Sequence, residues 1–465
     1  MSNGPLLGPR SRKRLFQKWR EIIVLGWPIT AQSTVRTAMR TTDLLVVGLF
    51  GPAAISALGL ANLYARIPLV IGIGVGTGAL SLSSQDTGGG AIANRDLAVS
   101  QALLLGLLLG VPVAVFGVLF ADLAMKIFGA PANVVALGTP YLVVVLGTAP
   151  ARHLSLVGGK ALQGTGDTKT PMYIRSGTNV VNIVGSISLG LGIGPLPRLE
   201  IVGVALSTAG ANVLAGLCFV GFLSSSMSEI DLTVSADRTI GKQILEIGLP
   251  RTVQGLSRTA ASFPLGAILV SFGVEVFAAY QIGRRISQQL TGPLARSYNV
   301  VASILVGQSL GAERLDEVRF NISALALFGL ITTLVLGVAV FVNSAALAGY
   351  FVTDPLTLRT ASVFLEAFAI AAVFRTLARI YAGALQGGGE TTKPFIAELV
   401  AGTGVLLGVT YVGGVLLEME ELAAFGAIVL SGVVRLTLVF SWFRGDGWIQ
   451  AALDGMAERG SISDD

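Results

Sequence analysis

The stretch ALQGTGDTKTP at residues 161–171 returns almost unaltered as ALQGGGETTKP at residues 384–394, an offset of 223 positions (384 minus 161). The offset holds elsewhere to within one position. Pro28, Gln32, Arg36, Thr37 and Ala38 fall on Pro250, Gln254, Arg258, Thr259 and Ala260, an offset of 222 (250 minus 28). Gly51 falls on Gly273, Gln85 and Gly88 on Gln308 and Gly311, and Arg152 on Arg375. One coincidence would mean little. Five in register over most of each half mark a duplication, and a repeat must be recognised before any local reading.

The repeated unit is apolar. The 465 residues are 52% hydrophobic and only 13% charged, with mean hydropathy +0.74. A soluble domain carries about 25% charged residues, so a water-soluble enzyme and a disordered chain are both excluded. The 59 glycines have no three-residue period, which excludes collagen. At ~20 apolar residues per membrane-spanning helix, the chain has room for roughly a dozen. Apolar runs between short Gly, Pro or charged breaks predict helices near 22–49, 54–83, 97–121, 134–160, 171–193, 201–225, 243–271, 277–305, 320–343, 356–385, 394–418 and 423–443. The expected fold is an all-α integral membrane protein with 12 transmembrane helices in two six-helix bundles. Six helices is an even number, so both halves enter the bilayer from the same side and the pseudo-twofold axis runs along the membrane normal. Such repeats rock about a central site, which is alternating access. The expected parts are a basic N-terminal segment (1–20), an N-lobe (21–225), a linker (226–242), a C-lobe (243–445) and a polar tail that frays (446–465).

The net charge is +5, from 32 basic and 27 acidic residues. Positive-inside bias accounts for it without nucleic acid. Arg10, Arg12, Lys13, Arg14, Lys18, Arg20, Arg95, Lys169, Arg238, Lys242, Arg314, Arg319, Lys393 and Arg444 fall on one side, and mainly Lys126, Arg198 and Arg359 on the other. Both termini are therefore expected in the cytoplasm, with the protein multi-pass in the plasma membrane. The first apolar stretch, from about Ile22 to Gly48, is too long for a signal-peptide core and reads as a retained helix. One cysteine (Cys218) allows no internal disulfide, and one histidine (His153) cannot build a histidine-based metal site.

Charge inside a span costs about 2.5–3.5 kcal/mol at the helix centre on insertion scales, so it points to function. Asp43 is the carboxylate well inside a helix of the first half, and Arg40 shares its face three residues away. Two readings stand: a proton or sodium site, or a static ion pair with Arg40. Arg36 with Arg258, and Arg152 with Arg375, recur at equivalent places in both halves with few acids to neutralise them. They imply a water-filled electropositive cavity, or else arginines bound to backbone carbonyls or lipid headgroups. Lys160, Arg175, Arg435, Arg284 and Arg285 are expected to snorkel. Asn179, Asn182 and Ser186 form one polar stripe, with Thr208 on the next helix. Such groups hold a cation or polar substrate, or bond neighbouring helices.

The glycine pairs Gly72–Gly76, Gly74–Gly78 and Gly106–Gly110 predict close helix packing. The repeated GTGD and GGGE turns lack the Gly-Lys-Ser/Thr ending of a phosphate loop, so nucleotide hydrolysis is not expected. Pro28 and Pro250 lie inside helices and are expected to be bend points.

Taken together, TDLLVVG (42–48), ALQGTGDTKTP (161–171), NVVNIV (179–184), VEVFAAYQI (274–282) and VGQSLGA (306–312) resemble a multidrug and toxic compound extrusion (MATE) transporter over about 20–445. The resemblance implies two six-helix lobes forming a V and export of organic compounds, often cationic drugs, driven by H+ or Na+. Asp43 and Asn182 match residues linked to cation coupling in the DinF-like branch, to which the chain is closer. The branch's second aspartate is here Ser186, and Arg258 stands near where a NorM-like chain has a glutamate. Asp43 and Asn182 from this resemblance, with Ser186 and Thr208 from the polar stripe, are the expected cation-coupling group. Gln32, Arg36, Arg40, Arg152, Asn179, Gln254, Arg258 and Arg375 line the substrate cavity. The only ion expected near Asp43 is H+ or Na+, and no other cofactor is implied.

The departures all remove carboxylates or leave arginines. A small anionic or zwitterionic substrate is therefore expected, such as an organic acid or an amphiphilic phosphate compound. The function expected is a secondary-active, cation-coupled efflux antiporter, acting as a monomer in the lipid bilayer. The alternative is a flippase for lipid-linked oligosaccharides or lipid phosphates within the same wider superfamily. An intramembrane enzyme would need clustered carboxylates or a nucleophile–base pair, and neither appears.

Overall fold

The computed structural model describes the chain from Pro9 to Gly460, with side chains from Arg12. Residues 1–8, the side chain of Arg10 in the expected basic segment and residues 461–465 of the expected tail lie outside what the structure describes. Every regular element among the described residues is helical. The helices are α1 (Pro9–Gly48), α2 (Pro52–Gly89), α3 (Ile92–Ile127), α4 (Ala132–Gly147), α5 (Ala149–Thr165), α6 (Lys169–Leu191), α7 (Glu200–Leu223), α8 (Arg238–Ser271), α9 (Val274–Gly311) and α10 (Leu315–Val342). They continue with α11 (Ser344–Gly349), α12 (Pro355–Gly387), α13 (Thr392–Glu398), α14 (Leu406–Tyr411), α15 (Glu421–Arg444) and α16 (Gly447–Glu458). Wide π-helical turns at Leu399–Val405 and Val412–Leu416 join α13 and α14 into one rod, Thr392–Leu416.

Seven of these rods are long and apolar enough to cross a membrane: α2, α3, α7, α10, α12, Thr392–Leu416 and α15. The pair α4–α5 forms an eighth, bent by 48°. That bend corrects the single helix expected at 134–160. Pro150, in the first turn of α5, has no N–H to continue the helical ladder, so the chain breaks at Thr148. With the more polar α1, α6, α8 and α9, these make twelve long passes among the described residues.

The chain divides into two compact units. One holds Ala31–Thr252 and the chain end from Glu458; the other holds the residues up to Thr30 and Val253–Ala457. The dividing points fall within α1 and α8, two residues beyond Pro28 and Pro250. They are repeat-equivalent, since 252 minus 30 is 222. The units therefore do not follow the expected lobe limits 21–225 and 243–445. The first half of α1 packs with the second repeat: Trp19 Nε1 donates to the carbonyl of Ala324 at 3.0 Å, and the Arg14 guanidinium sits 4.0 Å over the Phe320 ring. The first half of α8 packs with the first repeat.

Two apolar cores fill the first unit. One gathers Val47, Ala57, Met125, Leu142 and Ile201, and the other Val99, Val157, Phe219 and Ile244. The glycine pairs serve as expected. A Cβ on Gly78 would lie 2.8 Å from the Ile244 carbonyl, and one on Gly110 only 2.6 Å from Pro150 Cα. Only glycine lets α2 meet α8, and α3 meet α5, backbone to backbone. His153, fully buried, ties the same helices: its ring nitrogens lie 2.9 Å from the Gly106 carbonyl and 2.7 Å from the Pro68 carbonyl. In the second unit Leu269, Tyr280, Phe364 and Ala371 form the main core.

The tail corrects a second expectation, since α16 is ordered where fraying was expected. Trp448 is buried at 1% exposure, with Gly388 leaving room for its ring. Beyond α16, Arg459 enters the first unit. Its guanidinium binds Asp86 Oδ1 at 2.8 and 3.0 Å, Gln85 Oε1 at 2.7 Å and Gln243 Oε1 at 3.1 Å. Charged composition suggested solvent, but Arg459 finds in Asp86 a carboxylate that is itself fully buried.

Replacing Gly78 by leucine is expected to destabilise the first unit by about 1–3 kcal/mol through overpacking, seen as a lower melting temperature of the detergent-purified protein. Arg459→Ala is expected to cost about 3–5 kcal/mol, because it leaves Asp86 buried without its cation. Arg459→Lys should recover part of that loss in the same measurement.

Candidate functional site

The first unit gathers a buried polar chain from four helices. Asp43 is supplied by the last turns of α1, Asn182 and Ser186 by one face of α6, Thr208 by α7 and Tyr141 by α4. Asp43, Asn182, Ser186 and Tyr141 are 8%, 1%, 0% and 4% exposed. Ser186 Oγ lies 2.7 Å from Asp43 Oδ1 and 3.0 Å from Asn182 Oδ1. Asn182 Nδ2 donates to Thr208 Oγ1 at 3.2 Å, and the Tyr141 hydroxyl bonds Thr208 in turn. Sequence spacing placed 182 and 186 on one face; the structure brings Asp43 and Thr208 to that same face.

Proton counting constrains this chain. A serine hydroxyl has one proton to donate. Two oxygen acceptors flank Ser186, so both short contacts are hydrogen bonds only when Asp43 carries a proton and donates it to Ser186. With Asp43 ionised, Ser186 donates to it, and the Asn182 amide must turn so that its NH2 faces Ser186 and its oxygen faces Thr208. Every bond in the row then reverses direction. The row therefore has two complete hydrogen-bonding states that differ by one proton on Asp43.

Arg40 does not form the close ion pair with Asp43 that the i, i+3 spacing suggested. It is exposed and acts on the carboxylate only at longer range. Arg152 donates to the carbonyl of Ala65 at 3.0 Å. Its repeat mate Arg375 donates to Ser287 Oγ at 3.2 Å and lies 5.6 Å from the centre of the Phe368 ring. Ala65 and Ser287 are themselves repeat-equivalent (287 minus 65 is 222), so the duplication extends to side-chain contacts. Arg36 and Asn179 are half-buried. Gln32 Oε1 is buried without a hydrogen-bond partner among the described residues. Gln254 is buried, and its Nε2 donates to the Pro394 carbonyl at 2.9 Å.

The second unit holds a charged cluster that sequence reading missed in part. Glu398, at the end of α13, accepts a two-pronged bond from Arg258: Nε to Oε1 at 3.1 Å and Nη2 to Oε2 at 2.5 Å. Arg435 of α15 donates Nη2 to Oε1 at 3.1 Å. Arg375 and Arg379 of α12 complete the surroundings. Four guanidinium groups thus gather around one carboxylate, in keeping with the expectation that few acids would meet these arginines. Glu398 was visible as the acid inside the apolar run 394–418, but attention to the first half passed over it. Arg435 and Arg175 do not snorkel either. Arg435 lies nine residues before the end of α15 and binds Glu398, and Arg175 donates to the Ser155 carbonyl at 2.6 Å.

Comparison with known proteins agrees with the repeat. The MatE family model matches residues 28–187 and again 250–412, so the two matches start 222 residues apart. The probable multidrug resistance protein YoeA of Bacillus subtilis is 24% identical over 92% of this chain and 93% of its own length. The FAD transporter of Shewanella oneidensis is 26% identical over 70% of this chain and 72% of its own. A Pyrococcus furiosus transporter of the MOP superfamily, described as having a binding pocket of reverse polarity that suggests a different function, superposes with a TM-score of 0.83 at 22% identity. That superposition covers 94% of this chain and 97% of the other. Twelve long helices, an internal duplication and a family match in each repeat lead to one assignment: the chain belongs to the MATE family, and it is a membrane transporter rather than an enzyme.

Proposed function

We propose that the protein is a proton-coupled exporter of small organic anions, working by alternating access in the plasma membrane as a monomer with both termini in the cytoplasm. The observation that carries this reading is the pairing of a one-proton switch at Asp43 with arginines at repeat-equivalent positions. Asp43 gains or loses a proton, and the hydrogen-bonded row through Ser186, Asn182 and Thr208 reverses with it. Arg36 and Arg152 in one unit, and Arg258 and Arg375 in the other, supply positive charge suited to a carboxylate or phosphate group; Gln32 and Asn179 supply neutral polar groups in the first. Guanidinium groups suit both anions because their planar fork matches two oxygens at once.

Proton coupling is supported by the hydrogen-bonded row itself: Ser186 Oγ lies 2.7 Å from Asp43 Oδ1 and 3.0 Å from Asn182 Oδ1, so one proton on Asp43 sets the direction of these bonds. The Asp43–Asn182 pair also supports a place in the DinF-like branch. The anionic reading is supported by two of the similar proteins: one is named for FAD, which carries a pyrophosphate, and the other for a pocket of reversed polarity. Pro28 and Pro250 act as bend points in this scheme, each two residues from the place where its helix passes from one unit to the other.

The test is uptake into vesicles that carry the purified protein in the inside-out orientation. An imposed pH gradient should drive uphill movement of an organic anion, and a sodium gradient alone should drive none. Asp43→Asn should abolish the gradient-driven component while leaving downhill exchange. Unchanged uphill flux in that variant would remove Asp43 from coupling.

Neutralising the arginines one at a time (Arg36→Gln, Arg152→Gln, Arg258→Gln, Arg375→Gln) is expected to raise the KM for the anion about tenfold or more, the scale of one charged hydrogen bond. A lipophilic cation as best substrate, with all four variants silent, would reverse the assigned polarity. Movement of polyprenyl lipid phosphates alone would make the protein a flippase.

A further inference from the structure

Within the second unit, the Arg258–Glu398–Arg435 cluster is built unlike a structural ion pair. Arg258 is 42% exposed at its side chain while Glu398 is 9% exposed, so the carboxylate approaches the guanidinium from the closed side and leaves its other face accessible. Arg435 is 17% exposed, and its Nε is buried with no hydrogen-bond partner among the described residues. One carboxylate is thus shared between two guanidinium groups and saturates neither. Arg375 and Arg379 add further positive charge beside it.

The backbone around Glu398 is also unusual. It is the last residue of α13, and the wide π-helical turns Leu399–Val405 begin immediately after it. Such turns inside helices occur frequently at functional sites. One turn on, Gly402 has no side chain. A Cβ there would lie 2.8 Å from Glu398 Oε1 and 3.2 Å from Arg435 Nη2, so only glycine lets the carboxylate and the guanidinium meet against this turn. Repeat comparison adds that Glu398 stands where the first half has Arg175 (398 minus 175 is 223). Arg258 and Arg375 have repeat mates in Arg36 and Arg152, but the carboxylate between them belongs to the second half alone.

We propose that Glu398 is a tethered, displaceable anion: it occupies the Arg258–Arg435 fork while the site is empty, and a phosphate or carboxylate group of the transported compound takes its place. The inference rests on the anion-export reading and deepens it. An unfilled cluster of four guanidinium groups is costly to carry through a transport cycle, and Glu398 compensates it during the return of the empty carrier. The same carboxylate competes with the cargo, so the fork does not hold the anion too tightly to release it. Glu398 gives up the fork when the cargo arrives and takes it again as the cargo leaves.

The experiment is binding of inorganic pyrophosphate to the full-length protein in lipid nanodiscs, measured by titration calorimetry, for the wild type and for Glu398→Gln, Glu398→Asp and Arg258→Gln. Removing the tethered charge should lower the Kd at least tenfold in Glu398→Gln. Shortening it should lower the Kd about threefold in Glu398→Asp, and Arg258→Gln should weaken binding. Where Glu398→Gln does not fold, Glu398→Asp decides. Equal or weaker pyrophosphate binding in the folded Glu398 variants overturns the proposal, as does absence of binding in all proteins. If vesicles show no anion export while the Glu398 variants still bind more tightly, the export reading fails and the displacement stands. If export holds while these variants bind as the wild type does, the displacement alone fails.

Discussion

A guanidinium group buried among apolar helices must find an acceptor, because the bilayer has no water to supply one. Both repeats of this chain carry arginines at equivalent sequence positions, Arg36 with Arg258 and Arg152 with Arg375, and the partners of several are local. Arg152 uses a backbone carbonyl of α2, Arg375 a serine hydroxyl of α9, Arg175 a carbonyl of α5, and Arg258 with Arg435 the carboxylate of Glu398. The helices are held in register by these bonds as much as by apolar packing. The contacts between α2 and α8 and between α3 and α5 rest on glycines that let backbones touch, a mode of association suited to an environment in which lipid is as apolar as the side chains.

Duplication supplied two copies of one scaffold, and divergence placed different chemistry in each. At the repeat equivalents of Asp43, Asn182 and Ser186 the second half has Leu265, Val405 and Val409 (offsets of 222, 223 and 223). The row of groups able to hold and pass one proton therefore belongs to the first unit. At the equivalent of Glu398 the first half has Arg175. The carboxylate that pairs with Arg258 and Arg435 therefore belongs to the second unit. The two halves share a scaffold and differ in the polar chemistry each has placed on it.

Legibility followed from how local each signal was. The repeat, the twelve passes and the glycine contacts were readable because periodicity and small residues act over one or two helical turns. The polar face of α6 was readable for the same reason. What brought Asp43 and Thr208 to that face was the packing of α1 and α7 on α6, which spacing along one helix does not encode. The i, i+3 rule put Arg40 next to Asp43, but the two side chains point to different surroundings, and Ser186 became the carboxylate's partner. The α4–α5 break was readable at Pro150 and was overlooked because the apolar run continues through it. Arg459 was the least legible: a charged residue near a chain end looks solvated unless a distant buried carboxylate, here Asp86, awaits it.

The boundaries between the two units show how the scaffold could permit motion while remaining continuous. Proline leaves the carbonyl four residues earlier without its usual N–H, so α1 and α8 are weakest near Val24 and Glu246. Two residues beyond each proline stands a threonine, and its hydroxyl bonds the carbonyl of the residue four before it: Thr30 to Gly26 at 3.1 Å and Thr252 to Gly248 at 3.0 Å. Threonine back-bonding of this kind bends helices. Each unit passes to the other at this Pro–Thr pair, with offset 222 in both residues. The threonine bonds a different carbonyl from the one the proline leaves unpaired, so each helix carries two local departures from the regular ladder within one turn and a half, at the same place in both repeats.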